Sequence, residues 1–348
     1  MARILFAVYA VLTAHATLYP MEGWRDPGIS AFAYLSAHWP RYITRFDVAV
    51  NVLGYVPFGF LAVAALHPRV RGVPAFAAAT ASALALTLGL EALQSYLPAR
   101  FASNLDALCN LLGAGLGAAL AVRYVPRLLL EGPIGQLRRR AFLAGTAADA
   151  GLVLIGLWLF TQLNPGMLLF GVGDLRDYLS VSEARGQRPQ FFIFIEALTA
   201  AANLTAVGLL LSSLSAPQSR ARVKLLALVA AAFAVKTAAF AIVMRAEDVL
   251  AWLTPGAQIG LLVGLAGALA AVALPRVAQL ALAAVLIMAA TVLVNLAPPN
   301  PYLTATLKVW QQGHFLNFNG LTRLVSALWP FAALGYLMLL AARRPPNP

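Results

Sequence analysis

Apolar stretches long enough to cross a lipid bilayer recur along the whole chain, and they restrict the fold more than any other feature of the sequence. The hydrocarbon core of a bilayer is about 30 Å thick, which about 20 apolar residues span as a helix. Hydrophobic residues make up 61% of the 348 residues and charged residues 11%, whereas soluble domains average about 45–50% and about 25%. The composition therefore predicts a protein that resides in a membrane.

The segments in the membrane are predicted to be helices. A segment exposed to lipid must satisfy its own backbone hydrogen bonds, and the short alternating segments of an outer-membrane barrel are absent. The sequence thus predicts an all-α, polytopic integral membrane protein with about ten transmembrane helices. They are expected at residues 3–19, 47–66, 75–97, 105–125, 142–163, 191–214, 223–244, 256–273, 277–296 and 320–341.

The basic residues between these stretches predict the orientation of the chain. With the N-terminus in the cytoplasm, the inside loops hold 14 basic residues and one acid, Glu131, while the outside loops hold nine basic residues and seven acids. The positive-inside rule then selects N-in and C-in, and we expect the inner (cytoplasmic) membrane of a bacterium. Because topology explains the net charge of +12, the predicted partners are membrane lipids and no nucleic acid. The inside residues are Arg3, Arg69, Arg71, Arg123, Arg127, Arg138, Arg139, Arg140, Arg220, Arg222, Lys224, Arg276, Arg343 and Arg344.

The first apolar stretch has a second interpretation. Arg3, the apolar run from Ile4 and the triplet Ala14-His15-Ala16 together resemble a cleavable signal peptide. An uncleaved first span shares these features, and either outcome places residues 20–46 outside. The aromatic side chains of that segment suit the membrane interface.

An internal repeat links two of the predicted helices. Residues 44–54 follow the pattern Thr-x-x-Asp-x-x-x-Asn-x-Leu-Gly, and residues 103–113 follow it with Ser in the first position, at an offset of 59. A hydroxyl followed three residues later by an acid is typical of a helix N-cap. A helix cap does not explain Asn51 and Asn110. Each lies one helical turn deeper in the membrane than the acid of its copy, where a side-chain amide needs a hydrogen-bond partner. Because both helices run from the outside to the inside, we predict that the four helices of this region form two parallel copies of a helix pair, a two-plus-two repeat. The alternative is that two capped helices resemble each other by chance.

Further polar residues lie between the two copies of the repeat. Glu91 and Gln94 share a face near the outer end of the third predicted helix, and Arg100 follows in a short loop. Glu91 lies inside this predicted membrane helix, and an ionisable residue within a membrane helix indicates a functional site. The alternative is an ion pair of Arg100 with Glu91 or Asp106 that only pins the loop. The predicted site is one outward-facing polar pocket formed by Glu91, Gln94, Arg100, Asp106, Asn110, Asp47 and Asn51.

These residues together resemble a known family. The run Phe46-Asp47-x-x-x-Asn51, followed by Pro57-Phe58-Gly59, Glu91-x-x-Gln94, Arg100 and Asp106-x-x-x-Asn110-x-x-Gly113, is similar to the VanZ-like membrane proteins, which are named for a teicoplanin-resistance protein. The resemblance implies a small helical membrane module with polar residues near its outer surface, and it implies no reaction. The predicted organisation is a VanZ-like four-helix module over 1–125, a basic cytoplasmic linker over 126–141 and a second membrane region of about six helices over 142–348.

The second membrane region has ionisable residues of its own within predicted helices, at Asp149, Glu196 and Lys236. Glu196 and Lys236 lie at similar depth on successive antiparallel helices, so we predict a structural ion pair between them. A proton or ion relay is the alternative. Glycines at every fourth position from Gly256 to Gly264 predict close helix packing.

The sequence lacks the patterns of common catalytic and cofactor sites. The four histidines show no metal-ligand spacing, no Walker motif occurs, and Cys109 is the only cysteine. We therefore predict no cofactor, no metal site and no catalytic residues. The favoured function is a non-enzymatic membrane protein whose outward-facing polar site engages an envelope lipid, a glycan or a glycopeptide. A secondary transporter is the first alternative, and a membrane-embedded hydrolase or transferase that uses Glu91 or Asp106 as acid or base is the second.

Overall fold

The computed structural model describes residues 1–130, 132–179, 189–216, 219–243, 248–298, 300 and 315–342. Within these ranges the regular structure is helical and contains no β-strand, so the predicted all-α class is confirmed. A short 3-10 helix covers Ala33–Ser36, and a π-helical turn covers Val125–Leu130. The α-helices are α1 (Ala2–Leu18), α2 (Arg45–Leu66), α3 (Gly72–Gln94), α4 (Asn104–Tyr124), α5 (Pro133–Ala141), α6 (Thr146–Thr161), α7 (Arg176–Leu179), α8 (Pro189–Ser213), α9 (Ala221–Val243), α10 (Pro255–Ala271), α11 (Arg276–Leu296) and α12 (Leu316–Ala342).

Each of the ten predicted apolar stretches forms a helix, but the helices differ in length. Among the described residues, seven helices are long and apolar enough to cross a membrane, namely α2, α3, α4, α8, α9, α11 and α12. The shorter apolar helices α1, α6 and α10 have 17, 16 and 17 residues, or about 24–26 Å at a rise of about 1.5 Å per residue. The structure therefore supports a multi-pass helical membrane protein with seven candidate spans, where the sequence predicted ten.

The chain forms two compact units, Met1–Arg140 and Ala141–Pro348. The first contains α1 to α4 and most of α5, and the second contains α6 to α12. The segment 126–141, predicted as a basic linker, is occupied by most of the π-helical turn and by α5, whose last turn holds three arginines. Glu131, the single acid of that segment, lies outside the described residues.

The predicted N-caps of the repeat are confirmed. The Thr44 hydroxyl accepts a hydrogen bond of 3.0 Å from the backbone N–H of Asp47, and the Ser103 hydroxyl accepts one of 3.3 Å from that of Asp106. Each hydroxyl thereby satisfies one of the free donors at the start of its helix. Helix α2 then continues through Pro57 without a break.

Glycines hold α2 and α4, which carry the two copies of the repeat, against each other. A Cβ atom added at Gly113 would overlap the carbonyl oxygen of Val52, and one added at Gly117 would overlap that of Val56. Only glycine allows two helix backbones to approach this closely, as in small-residue contacts between membrane helices.

In the second unit, α8 is the most buried candidate span, with 78% of its apolar window inside the unit. The glycines of α10 lie against it. A Cβ at Gly260 would lie 2.6 Å from the carbonyl oxygen of Ala197, and one at Gly264 would lie 2.9 Å from the Cα of Ala201. The predicted close packing at this glycine stripe is thus confirmed.

Candidate functional site

The two copies of the repeat meet near the N-terminal ends of α2 and α4. The Nδ2 of Asn51 donates a hydrogen bond of 2.8 Å to the Oδ1 of Asp106, so the amide of the first copy contacts the acid of the second. Asp47 lies one turn before Asn51 and is exposed, and its carboxylate accepts a bond of 2.5 Å from the Thr44 hydroxyl. The repeat therefore produces a direct polar contact between two closely packed helices.

Glu91 connects α3 to the start of α4. Its side chain is buried, with 2% exposure, and its Oε2 accepts a hydrogen bond of 2.8 Å from the backbone N–H of Ser103. Ser103 is the N-cap of α4, and its hydroxyl accepts the hydrogen bond from the backbone N–H of Asp106. We refer to Asn51, Glu91 and Asp106, which come from three different helices, as the outer layer.

A second polar layer lies one helical turn deeper on the same three helices. It is formed by Tyr55, Thr87 and Asn110, each four residues from a member of the outer layer, and we call it the inner layer. The three residues are buried, with exposures of 4%, 0% and 4%. The Nδ2 of Asn110 donates a hydrogen bond of 2.9 Å to the Oγ1 of Thr87.

Two polar atoms of the inner layer are unsatisfied. Among the described residues, neither the hydroxyl of Tyr55 nor the Oδ1 of Asn110 has a hydrogen-bond partner. Asn110 was predicted from the sequence, whereas Tyr55 and Thr87 were not, because they fall within apolar runs. Their spacing of four residues from Asn51 and Glu91 is the signal that would have found them.

Gln94 and Arg100 tie α1 to the connection between α3 and α4. The Nε2 of Gln94 donates a bond of 2.9 Å to the carbonyl oxygen of Thr17. The guanidinium of Arg100 donates to the carbonyl oxygen of Tyr19 through Nε, at 2.8 Å, and through Nη2. Burial lowers the pKa of Arg100 from its ordinary value. These contacts position the loop that carries Ser103.

Residues 20–44, which we call the cover segment, lie over the end of this cluster. Four hydrogen bonds hold the segment to α3, α4 and their connection: Tyr34 Oη to the Leu88 carbonyl at 3.2 Å, the Arg25 backbone N–H to the Tyr96 carbonyl at 2.9 Å, Ser95 Oγ to the Ala31 carbonyl at 3.2 Å, and Asn104 Nδ2 to the Ala37 carbonyl at 2.8 Å. Burial, and then the nearby charge of Glu91, raise the pKa of Tyr34, so this tyrosine remains a donor.

The structure thus brings Asp47, Asn51, Glu91, Asp106 and Asn110 into one region, with Gln94 and Arg100 as its anchors. The cluster is only partly accessible to solvent. Exposure decreases from Asp47, which is exposed, through Asn51 and Asp106, which are half-buried, to the buried Glu91 and Asn110.

In the second unit, Glu196 and Lys236 have separate partners. The Thr254 hydroxyl donates a bond of 2.5 Å to the Oε2 of Glu196. The ammonium of Lys236, with 1% exposure, donates bonds of 2.8 Å to the carbonyls of Asn164 and Met167. Among the described residues, no direct ion-pair contact joins Glu196 to Lys236, although the two side chains lie near enough to interact electrostatically. The physical reason is that the non-helical segment after α6 presents buried carbonyls that need a donor.

The comparison with protein families covers the first unit. Residues 6–128 match the model of the VanZ/LLP1 family, so the resemblance seen in the sequence is confirmed for this part of the chain. The matched range contains both copies of the repeat and both polar layers. No curated protein and no solved structure matches the chain.

Proposed function

Because residues 6–128 are a VanZ-like part of a multi-pass membrane protein, we propose that they form a non-enzymatic binding module. Its polar layers engage an envelope lipid, a glycan or a glycopeptide from the outside of the cell. The contact of Asn51 with Asp106, above the buried Thr87 and Asn110, carries this proposal. Polar groups are costly to bury among apolar helices, and here they converge from three helices at one end of the unit.

The contacts of the two buried or half-buried acids favour binding over catalysis. A general acid or base acts on a reacting group and needs a nucleophile or electrophile in the same pocket. Glu91 accepts a hydrogen bond from the Ser103 backbone, and Asp106 accepts one from Asn51. Both carboxylates therefore already hold protein groups in place.

The continuity of the helices in the first unit favours binding over transport. Secondary transporters commonly use helices that are broken near the middle of the membrane. The one proline inside α2, Pro57, leaves that helix continuous. A fixed binding module agrees better with this geometry.

The proposal includes the topology of the chain. We propose that all ten apolar helices lie in the membrane, with both termini in the cytoplasm of a bacterial cell, because the basic residues are concentrated in alternate loops. The N-terminal ends of α2 and α4, and with them the outer layer, then face the outside. A site in this position meets envelope molecules directly.

The test measures binding to the purified full chain in lipid nanodiscs, with three probes: teicoplanin, an N-acetylglucosamine tetrasaccharide and a glucosyl-diacylglycerol. Asp106→Asn preserves the shape of the side chain but removes its charge. Loss of one hydrogen bond to a charged group is worth about 1.5–3 kcal/mol, or a weakening of roughly 10- to 150-fold. We expect that loss for the probe that the wild-type protein binds.

Glu22→Gln is the matched control, because Glu22 is an exposed acid of the cover segment. It should leave the affinity unchanged. Thermal unfolding of each variant shows whether it is folded. The proposal is wrong if the wild-type protein binds none of the three probes, or if the control weakens binding as much as Asp106→Asn does.

A further inference from the structure

We infer that the inner layer is a subsite for a hydroxyl group, so that the ligand belongs to the hydroxyl-bearing class formed by sugars and sugar-carrying lipids. This inference rests on the proposed binding function and adds the chemistry of the ligand. It is carried by the two unsatisfied atoms of the inner layer, the Tyr55 hydroxyl and the Asn110 Oδ1.

The side chains of Asn110, Thr87 and Tyr55 adjoin one another in the inner layer. The Oγ1 of Thr87 accepts the hydrogen bond from the Nδ2 of Asn110, so the amide nitrogen is occupied and the Oδ1 remains as an acceptor without a donor. The Thr87 hydroxyl can donate to the oxygen of Tyr55, whereas the hydroxyl hydrogen of Tyr55 has no acceptor among the described residues. Leaving such buried groups unsatisfied destabilises the unliganded protein.

A hydroxyl group supplies both the donor and the acceptor that these two atoms need. It donates its hydrogen to the Asn110 Oδ1 and accepts the hydrogen of the Tyr55 hydroxyl. An ammonium group has no lone pair, so it would leave the hydrogen of Tyr55 without an acceptor. It would also carry the larger cost of burying a charge.

The charges above the inner layer exclude an anionic group. Exposure falls from Asp47 through Asp106 to Glu91, so a ligand entering from the exposed side would meet these carboxyl groups in that order. A phosphate would be repelled by the ionised form of these acids, whereas hydroxyl groups donate hydrogen bonds to carboxylates. Arg100, the basic residue of the connection between α3 and α4, is directed at the carbonyl of Tyr19. The ligand that fits both layers is therefore neutral and carries several hydroxyls.

Tyr55→Phe is the decisive variant, because it removes the hydroxyl and keeps the ring. Since the hydrogen of this hydroxyl has no acceptor among the described residues, the unfolding temperature without ligand should stay the same or rise. The affinity for a glucosyl-diacylglycerol should fall about 5- to 10-fold, the equivalent of one hydrogen bond. Tyr9→Phe is the matched control in the same unit. The Tyr9 hydroxyl donates a bond of 2.6 Å to the Gly54 carbonyl, so this change should lower the unfolding temperature and leave the affinity unchanged.

Native mass spectrometry of the full chain compares four probes: the glucosyl-diacylglycerol, phosphatidic acid and phosphatidylethanolamine with the same acyl chains, and the soluble tetrasaccharide. We expect the glucosyl lipid to bind more tightly than phosphatidic acid or phosphatidylethanolamine, and only the glucosyl lipid and the tetrasaccharide to lose affinity in Tyr55→Phe. The ratio of these two affinities shows whether the sugar is free or carried by a lipid.

Each other outcome overturns the inference. If Asp106→Asn weakens binding and Tyr55→Phe does not, the binding function stands and the hydroxyl subsite is wrong. If Tyr55→Phe lowers the unfolding temperature without ligand and leaves the affinity unchanged, an internal water occupies the site. If phosphatidic acid or phosphatidylethanolamine binds best, the ligand class is wrong. If the wild-type protein binds no probe, both proposals fail.

Discussion

The close contact of α2 with α4 sets the distance across which Asn51 reaches Asp106, and Gly113→Ala perturbs that contact directly. A Cβ at this position would overlap the carbonyl oxygen of Val52 and lie 2.9 Å from its carbonyl carbon. Non-bonded carbon atoms prefer a separation of about 3.5–4.0 Å. Relief of the carbon contact alone requires a separation larger by about 0.6 Å, and relief of the closer contact with the oxygen requires more.

Two costs and one gain determine the effect of Gly113→Ala on the free energy of unfolding. Overpacking of a close contact costs about 1–3 kcal/mol. Separation of the helices also weakens the hydrogen bond of 2.8 Å from Asn51 to Asp106, and a hydrogen bond to a charged group is worth about 1.5–3 kcal/mol. The helix preference for Ala over Gly returns about 1 kcal/mol. We expect a net destabilisation of about 2–4 kcal/mol.

Gly115→Ala provides the control within the same helix. A Cβ there would meet only the Cγ2 of Thr80, at 3.9 Å, which is ordinary contact. Its expected effect is between no change and a stabilisation of about 1 kcal/mol. The assay is reversible unfolding of the purified protein in detergent micelles, followed by circular dichroism. Equal stability of the Gly113→Ala and Gly115→Ala proteins would refute the close contact between α2 and α4.

Three further predictions address the orientation of the chain and the second unit. Tyr42→Cys, at a side chain with 92% exposure, should react with an impermeant thiol reagent on intact cells, and Gln136→Cys only after lysis; the reverse pattern would overturn N-in and C-in. Lys236→Met leaves two buried carbonyls without a donor, so it should destabilise the protein by about 2–5 kcal/mol in detergent unfolding. Adding Glu196→Gln should not recover this loss, and recovery would support the ion pair predicted from the sequence. Burial by itself would raise the pKa of Asp174. The hydrogen bonds and positive charge of Arg176 have the larger combined effect, so the pKa of Asp174 is lowered. The contribution of Asp174 to stability is therefore lost as the pH falls from about 5 towards 3. In that interval the unfolding temperature of Asp174→Asn should decrease less than that of the wild-type protein.

Local features of the sequence determined the helices and their starting points. Length and continuity of the apolar runs predicted the ten apolar helices, because a backbone in lipid has few ways to satisfy its hydrogen bonds. The hydroxyls of Thr44 and Ser103 predicted both caps, because a cap depends on residues three positions apart. The four-residue spacing in the repeat placed Asn51 and Asn110 on the same helix faces as Asp47 and Asp106. These predictions required no knowledge of which helices meet.

The tertiary structure alone decided which helix faces pack together. Asn51 pairs with Asp106 of the other copy because glycine contacts bring α2 against α4 in one register. Lys236 lies at a depth similar to that of Glu196, yet it donates to backbone carbonyls of a segment about 70 residues earlier. Tyr55 became part of the site through its position below Asn51 on the packed face. Helix periodicity assigns a residue to a face, whereas its partner depends on contacts between residues far apart in the chain, which no local pattern encodes.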